Sequence, residues 1–235
     1  PIIGSKDLLA DFVEDLQFGN IINNSSLFAG SAGVKNVGIL RSYDSVSKTW
    51  GKQETFKTKS GAAVGVLALA FGPDGLLYVG GYENGTLRTY DPVSKKWGAP
   101  ETLKNLSGRT MPITALEFGS DGLLYVGTSF KYIRTYDPVS KKWGIQEPFR
   151  TSRRPTSVDA LAFGTDGLLY VGTHWTVDRG NLRTYNPVSN KSLYRSHWSR
   201  TLQRFTYKGS SRDMAIWALA FCPDGLLWAG TYTGL

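Results

Sequence analysis

The sequence predicts an all-β fold, a five-bladed β-propeller of four-stranded antiparallel blades with the last blade incomplete. Three observations carry that reading. A phenylalanine-anchored segment recurs at Phe18, Phe71, Phe118, Phe163 and Phe221, at spacings of 53, 47, 45 and 58 residues. An Asp-Gly turn and an apolar run follow the last four anchors, as in ALAFGPDGLLYVGG from Ala68 and ALAFGTDGLLYVGT from Ala160. A second block then follows each of the first four anchors, and its copies from Arg88 and Arg134 both read RTYDPVSKKWG. Repeats of this length with four short strands each are the signature of propeller blades.

Each element of the repeat has a physical reading. VLALAF, ITALEF and VDALAF are inner strands, in which small alanines alternate with leucine to suit crowding near an axis. Asp-Gly makes the tight hairpin turn that needs a residue with positive φ. LLYVG is a nearly continuous apolar run, which implies a strand covered on both faces. LRTY or IRTY is the third strand. The DPVSKK turn, DSVSKT in the first copy, leads to Trp50, Trp97 or Trp143, which opens the outer strand. In the fourth copy Ser192 stands where the tryptophan is expected, so its outer strand is predicted to differ. The predicted blades are 12–63, 64–111, 112–156, 157–213 and 214–235, all within one domain 1–235. An N-terminal strand over 1–7, with Ile2 and Ile3, is predicted to join the fifth blade and close the ring. An edge left open there predicts self-association.

Composition narrows the class. The chain of 235 residues is 41% hydrophobic and 20% charged, as expected of a globular domain. No apolar run reaches membrane-spanning length, so no membrane partner is predicted. Cys222 is the single cysteine, so no internal disulfide can form. The chain opens at Pro1 without a signal-peptide pattern, consistent with a processed form, and the sequence assigns no compartment, cytoplasmic or extracellular. Sequons at Asn23, Asn24, Asn84, Asn105 and Asn190 are short enough to arise by chance and carry no weight. The net charge of +8 favours acidic partners, although many lysines sit in the DPVSKK turns. With no nucleic-acid motif present, nucleic acid ranks below a small ligand.

GLLYVGT and DGLLWAGTYTGL resemble the two-component-regulator propeller repeat. GLLYVGGYENGTLRTYDPVSKKW also resembles kelch repeats, with their Gly pair, Tyr and Trp. The size is similar to that of the five-bladed tachylectin-type lectins, whose sugar-binding motifs are absent. These resemblances imply blades and no particular activity. The GPDG-like repeats also resemble those of streptogramin lyases, which use a catalytic histidine, but no specific match carries that role to His174.

Strand order groups the repeated turns at one end of each blade, and the variable two-to-three loops and inter-blade connectors at the other. Variable loops on a rigid scaffold are where binding residues collect. The aromatics expected there are Tyr82, Phe130, Tyr132, Trp175 and Tyr232, offering flat surfaces for sugar rings. Arg109, Arg153, Arg154 and Arg212 lie in connectors, and a guanidinium suits carboxylate, sulfate or phosphate. Arg109, Arg154 and Arg212 each fall nine residues before an anchor phenylalanine, where the second copy has Ala62, and are expected to converge at the mouth of the axis. The plain alternative is that the aromatics pack between loops and the arginines are solvated.

Catalysis has weaker support. His174 and His197 show no metal-ligand spacing and no nucleophile companion. Glu14 and Asp159, both four residues before an anchor, with Asp15 and Glu117 nearby, could form an acid–base pair of the glycosidase type, or simply pair with connector arginines. The sequence therefore predicts a non-enzymatic carbohydrate-binding module without metal or cofactor, its ligand a glycan or another acidic molecule. The alternatives are an interaction or sensor propeller, and then a glycosidase.

Overall fold

A computed structural model describes residues 13–21, 24–32, 38–130, 132–148, 157–174, 181–187, 198, 203–204 and 214–232. Among them the regular structure is strand, apart from one short 3-10 turn at Glu83–Gly85. The chain divides into two compact units, Pro1–Ile113 and Thr114–Leu235.

In the first unit, β1 (Val13–Ile21), β2 (Asn24–Ala32), β3 (Gly38–Asp44), β4 (Thr49–Trp50) and β5 (Glu54–Thr55) form one antiparallel sheet. A second holds β6 (Val66–Phe71), β7 (Leu77–Gly81), β8 (Thr86–Asp91), β9 (Lys96–Trp97) and β10 (Glu101–Thr102). The third sheet, β11 (Ile113–Phe118), β12 (Leu124–Thr128), β13 (Tyr132–Asp137) and β14 (Lys142–Pro148), opens the second unit. The fourth is β15 (Ser157–Phe163), β16 (Leu169–His174), β17 (Asn181–Tyr185) and β18 (Gln203–Arg204). The fifth, β19 (Ala215–Phe221) with β20 (Leu227–Tyr232), has two strands among the described residues.

The sheets follow the repeat. In each Asp-Gly turn the glycine takes positive φ, as at Gly75 (φ 78) and Gly167 (φ 74), and its N–H donates to the carbonyl three residues back. The turn aspartate is part of the fold as well. Asp121 accepts the Leu123 N–H at 3.0 Å and the Tyr125 hydroxyl at 2.8 Å, and Asp74 and Asp166 hold Tyr78 and Tyr170 in the same way. All five residues of β7 and of β12 are buried, as a strand covered on both faces requires.

The outer strand departs from expectation. In the first two sheets it is broken into two-residue pieces, β4 with β5 and β9 with β10, that pair separately with the third strand. The break follows the tryptophan, where the Gly51 and Gly98 N–H groups donate back to Ser42 and Thr89. Each tryptophan lies against the tyrosine of the third strand, with ring centroids 5.1 Å apart for Tyr43–Trp50, 5.0 Å for Tyr90–Trp97 and 4.9 Å for Tyr136–Trp143. An arginine also stacks on it: Arg88 lies 5.1 Å from the Trp97 ring and donates to the Gly98 carbonyl at 2.8 and 3.0 Å. In the fourth sheet Trp198 fills this place. It bridges to Tyr185, packs at 5.1 Å and lies under Arg183, so the tryptophan missing at Ser192 is supplied from six positions further on.

Within each unit the sheets pack by one rule. The aromatic near the start of the second strand meets the next sheet's anchor phenylalanine edge to face: Phe28–Phe71 at 5.6 Å, Tyr125–Phe163 at 5.1 Å and Tyr170–Phe221 at 5.0 Å. Two residues on, a glycine makes room for the β-branched residue that opens the next inner strand. A Cβ at Gly30 would lie 2.4 Å from Val66 Cγ1, at Gly127 2.8 Å from Val158 Cγ1, and at Gly172 2.6 Å from Ile216 Cγ2. Val66, Leu69, Leu77 and Val79 in one core, and Val158, Leu169 and Val171 in the other, are inaccessible to solvent. Burying each such side chain stabilises the fold by about 1.5–3 kcal/mol.

Candidate functional site

The candidate residues are taken up at the loop end of each sheet. In the second sheet the two-to-three loop and the connectors are fastened together by main-chain bonds. Tyr82 N–H donates to the Gly65 carbonyl at 3.1 Å, and Leu103 N–H to the Gly85 carbonyl at 2.7 Å. Gly85 sits at φ 56 with no space for a side chain, since a Cβ would come 2.5 Å from the Met111 carbonyl oxygen. On this pinned backbone Tyr82 stands 49% exposed. A ring held by its main chain and open to solvent offers a stacking face at low entropic cost.

The connectors are tight hairpins. Asn105 closes one: its Oδ1 accepts the Ser107 N–H at 3.0 Å, the Ser107 hydroxyl at 2.8 Å and the Arg109 N–H at 2.9 Å, and its own N–H donates to the Arg109 carbonyl at 2.8 Å. Arg109 is therefore fixed in backbone and exposed in side chain. Ala62 holds the same hairpin position in the preceding connector, where Thr58 N–H donates to its carbonyl at 2.8 Å.

In the second unit Thr128 staples the loop. Its hydroxyl donates to the Tyr132 carbonyl at 3.0 Å and accepts the Tyr132 N–H at 3.3 Å. That closure makes Tyr132 the first residue of β13 rather than a loop residue, and leaves it half-buried. Phe130, at the loop tip, is 38% exposed. Thr173 makes the same staple to Asn181 across a longer loop. Tyr232 also differs from expectation: it closes β20, its backbone opposite Ala215, because the ladder extends past Thr231. Arg153, Arg154, Trp175 and Arg212 lie outside the described residues, as do 1–7 with Ile2 and Ile3, and His197. The expected convergence of arginines on an axis and the terminal strand therefore have no geometry here. Arg109 belongs to the first unit and Tyr132 to the second.

The inner strands carry a feature that the repeat analysis touched at two positions only. In four sheets the inner strand has a register shift four residues before its anchor phenylalanine: Val13/Asp15, Val66/Ala68, Val158/Ala160 and Ile216/Ala218. A bulge of this kind redirects the side chain it carries. The preceding position is Val or Ile in every copy and the following one is Ala in four of the five, yet this one reads Glu14, Leu67, Thr114, Asp159 and Trp217 down the chain. Trp217 is 51% exposed. Thr114 donates its hydroxyl to the Val158 carbonyl at 2.6 Å, tying adjacent inner strands. Asp159 accepts the Ser157 hydroxyl at 2.5 Å, and Glu117 accepts the Phe163 N–H at 3.5 Å. The signal was available in the sequence as the most variable column of the inner strand.

Of the inner-strand carboxylates singled out in the sequence, the two with described side chains, Asp159 and Glu117, are thus engaged in the fold. The side chains of Glu14, Asp15 and His174 lie outside the described residues, although the His174 backbone pairs with Ser157 at the end of β16. No cluster of three or more metal-ligating side chains occurs among the described residues. Among the described residues no helix is long and apolar enough to cross a membrane.

No protein-family model matches the chain, and no curated protein matches it. Solved structures do. The extracellular domain of the putative one component system BT4673 from B. thetaiotaomicron is similar over 92% of this chain at 20% identity, with a TM-score of 0.61. Virginiamycin B lyase from Staphylococcus aureus is similar over 91% at 11% identity, with a TM-score of 0.64. The chain spans 26% of the first protein's length and 61% of the second's. Both are propeller-type folds, and the repeated antiparallel sheets of this chain are of that class. It is a β-propeller repeat protein.

Proposed function

We propose that the chain is a ligand-binding propeller without catalytic activity, and that its ligand is a carbohydrate held at the loop end. The observation that carries this reading is Tyr82, an exposed ring on a loop whose backbone is bonded to the neighbouring connector. The exposed Phe130 and Trp217 supply further apolar faces, and Arg109 supplies a cation for an anionic glycan. Engagement of Asp159 and Glu117 in structural hydrogen bonds favours binding over a glycosidase mechanism. Five blades in one ring over residues 1–235, with Arg153, Arg154, Trp175, Arg212 and Tyr232 on the same face, complete the proposal.

A glycan array, followed by titration calorimetry on the strongest hits, tests it. Binding of at least one neutral or sulfated oligosaccharide is expected. Tyr82→Ala should weaken it about tenfold or more, as loss of an aromatic anchor does. Arg109→Ala should weaken sulfated ligands more than neutral ones. An array without hits would favour the second reading, an interaction or sensor propeller. The likeness to an extracellular domain of a one component system supports that alternative.

A further inference from the structure

We propose that the loop-end site of the first unit takes a sulfated glycan chain, gripped by two basic hairpins on either side of Tyr82. The proposal rests on the carbohydrate reading of that site and names its ligand class. The hairpins are two copies of one connector. In 57–63 the Lys57 and Ala63 backbones bridge, Thr58 N–H donates to the Ala62 carbonyl at 2.8 Å, and Gly61 N–H donates to the Thr58 carbonyl at 3.0 Å. In 104–110 Lys104 bridges Thr110, Asn105 N–H donates to the Arg109 carbonyl at 2.8 Å, and Gly108 N–H donates to the Asn105 carbonyl at 2.9 Å. The loop that carries Tyr82 is tied to the bases of both. At its start Tyr82 N–H donates to the Gly65 carbonyl at 3.1 Å, and a Cβ on Gly81 would lie 2.7 Å from Phe56 Cε1 and 2.9 Å from Val64 Cγ1. At its end the Gly85 carbonyl accepts the Leu103 N–H at 2.7 Å, and Gly85 lies against the Met111 carbonyl. Tyr82 therefore stands on a short bridge from one hairpin to the next, all within the first unit.

The charge of this surface is one-sided. Lys57 and Lys59 of the first hairpin and Lys104 and Arg109 of the second are exposed. Across 56–65, 82–85 and 103–111 the sole carboxylate is Glu83. The hairpin frame does not call for these cations. It is held by backbone bonds, by glycines at positive φ (Gly61 at 85 and Gly108 at 82) and by the Thr58 and Asn105 side chains. Cations on both sides of a fixed aromatic face suit a chain that lays one sugar ring on Tyr82 and carries anionic groups outward in both directions. A neutral glycan would gain nothing from them. Single-stranded nucleic acid also combines flat groups with anionic ones, but it draws on successive aromatics for successive bases. In these segments Tyr82 supplies the one exposed aromatic ring, which favours the glycan.

Titration calorimetry on the full chain tests the proposal. The probes are a heparin hexasaccharide and a sulfated galactan hexasaccharide, each with its desulfated counterpart, and a thymidine oligonucleotide. At least one sulfated saccharide is expected to bind about tenfold or more tighter than its desulfated form, and to lose that advantage at about 1 M ionic strength, where exposed charges are screened. The double variant Lys57→Ala, Lys59→Ala should weaken the sulfated form about fivefold, and Lys104→Ala, Arg109→Ala by a similar factor, the scale of two exposed charge contacts. Neither should alter binding of the desulfated form or the thermal midpoint. Tyr82→Ala should weaken both forms alike, and so reports on the carbohydrate reading itself. Three results would overturn the proposal: equal affinity for sulfated and desulfated saccharides, sulfated binding unchanged in the Lys57, Lys59 variant, or the oligonucleotide bound as tightly as the sulfated saccharide. Equal affinities that both fall with Tyr82→Ala would leave the carbohydrate reading standing. Binding of no saccharide would remove that reading and the proposal together.

Discussion

Trp198 lies 5.1 Å from Tyr185 with its ring inclined at 55°, the same separation and angle that Trp50 makes with Tyr43. The first pair is 13 residues apart in sequence and the second seven. The blade keeps this contact across an insertion because tyrosine, tryptophan and arginine together seal one edge of the sheet. Arg183 lies 5.8 Å over Trp198, and burial lowers its pKa, as it does for Arg88 and Arg134.

Trp198→Ala should therefore destabilise the protein by about 3–5 kcal/mol, the range for a buried large aromatic. Urea unfolding should show a lower midpoint. Trp97→Ala, at the equivalent place in the second sheet, should cost a comparable amount.

Glycines that receive the next strand should resist enlargement. Gly172→Val would drive a side chain into Ile216, and is expected to cost about 1–3 kcal/mol by overpacking. Gly230→Ala would meet only Ala218 within 4 Å and should change the stability by about 0.5 kcal/mol or less. Thermal denaturation of the two variants side by side separates these outcomes.

Alkaline pH should loosen the second unit. Burial, and then the hydrogen bond to Asp121, raises the Tyr125 hydroxyl above the ordinary value of 10.0, and burial pushes Tyr185 up to about 12. A raised folded-state value means that the unfolded chain loses its proton first. Stability is thus complete below pH 10.0 and falls as pH rises beyond it. Tyr125→Phe should give a flatter stability profile above that point, while costing about 1 kcal/mol near neutrality through the lost hydrogen bond. Denaturant midpoints across the alkaline range check this.

Acid should act on the repeated turns with the opposite sign. Asp91 is held below the carboxylate value of 3.8, first by the Ser94 hydroxyl and then by the Val93 and Ser94 N–H groups, and Asp137 likewise by Ser140 and Val139. Their contribution is present above pH 3.8 and is lost as pH falls towards the lowered values. The double variant Asp91→Asn, Asp137→Asn should melt earlier than wild type near neutrality, and the difference should shrink in strong acid.

What the sequence determined by itself is the part that repeats. Phenylalanine anchors, Asp-Gly turns and apolar runs predict the inner, second and third strands, because each is a local pattern with one physical meaning. The sequence also marked Tyr82 and Arg109, since both fall in segments that vary where the frame does not. Tertiary structure decided the rest. Trp198 could replace the tryptophan absent at position 192 only because folding brings it back to Tyr185 over an insertion that spacing cannot see. Tyr132 left the loop for a strand because the Thr128 hydroxyl, buried at the strand end, closes the chain within three residues.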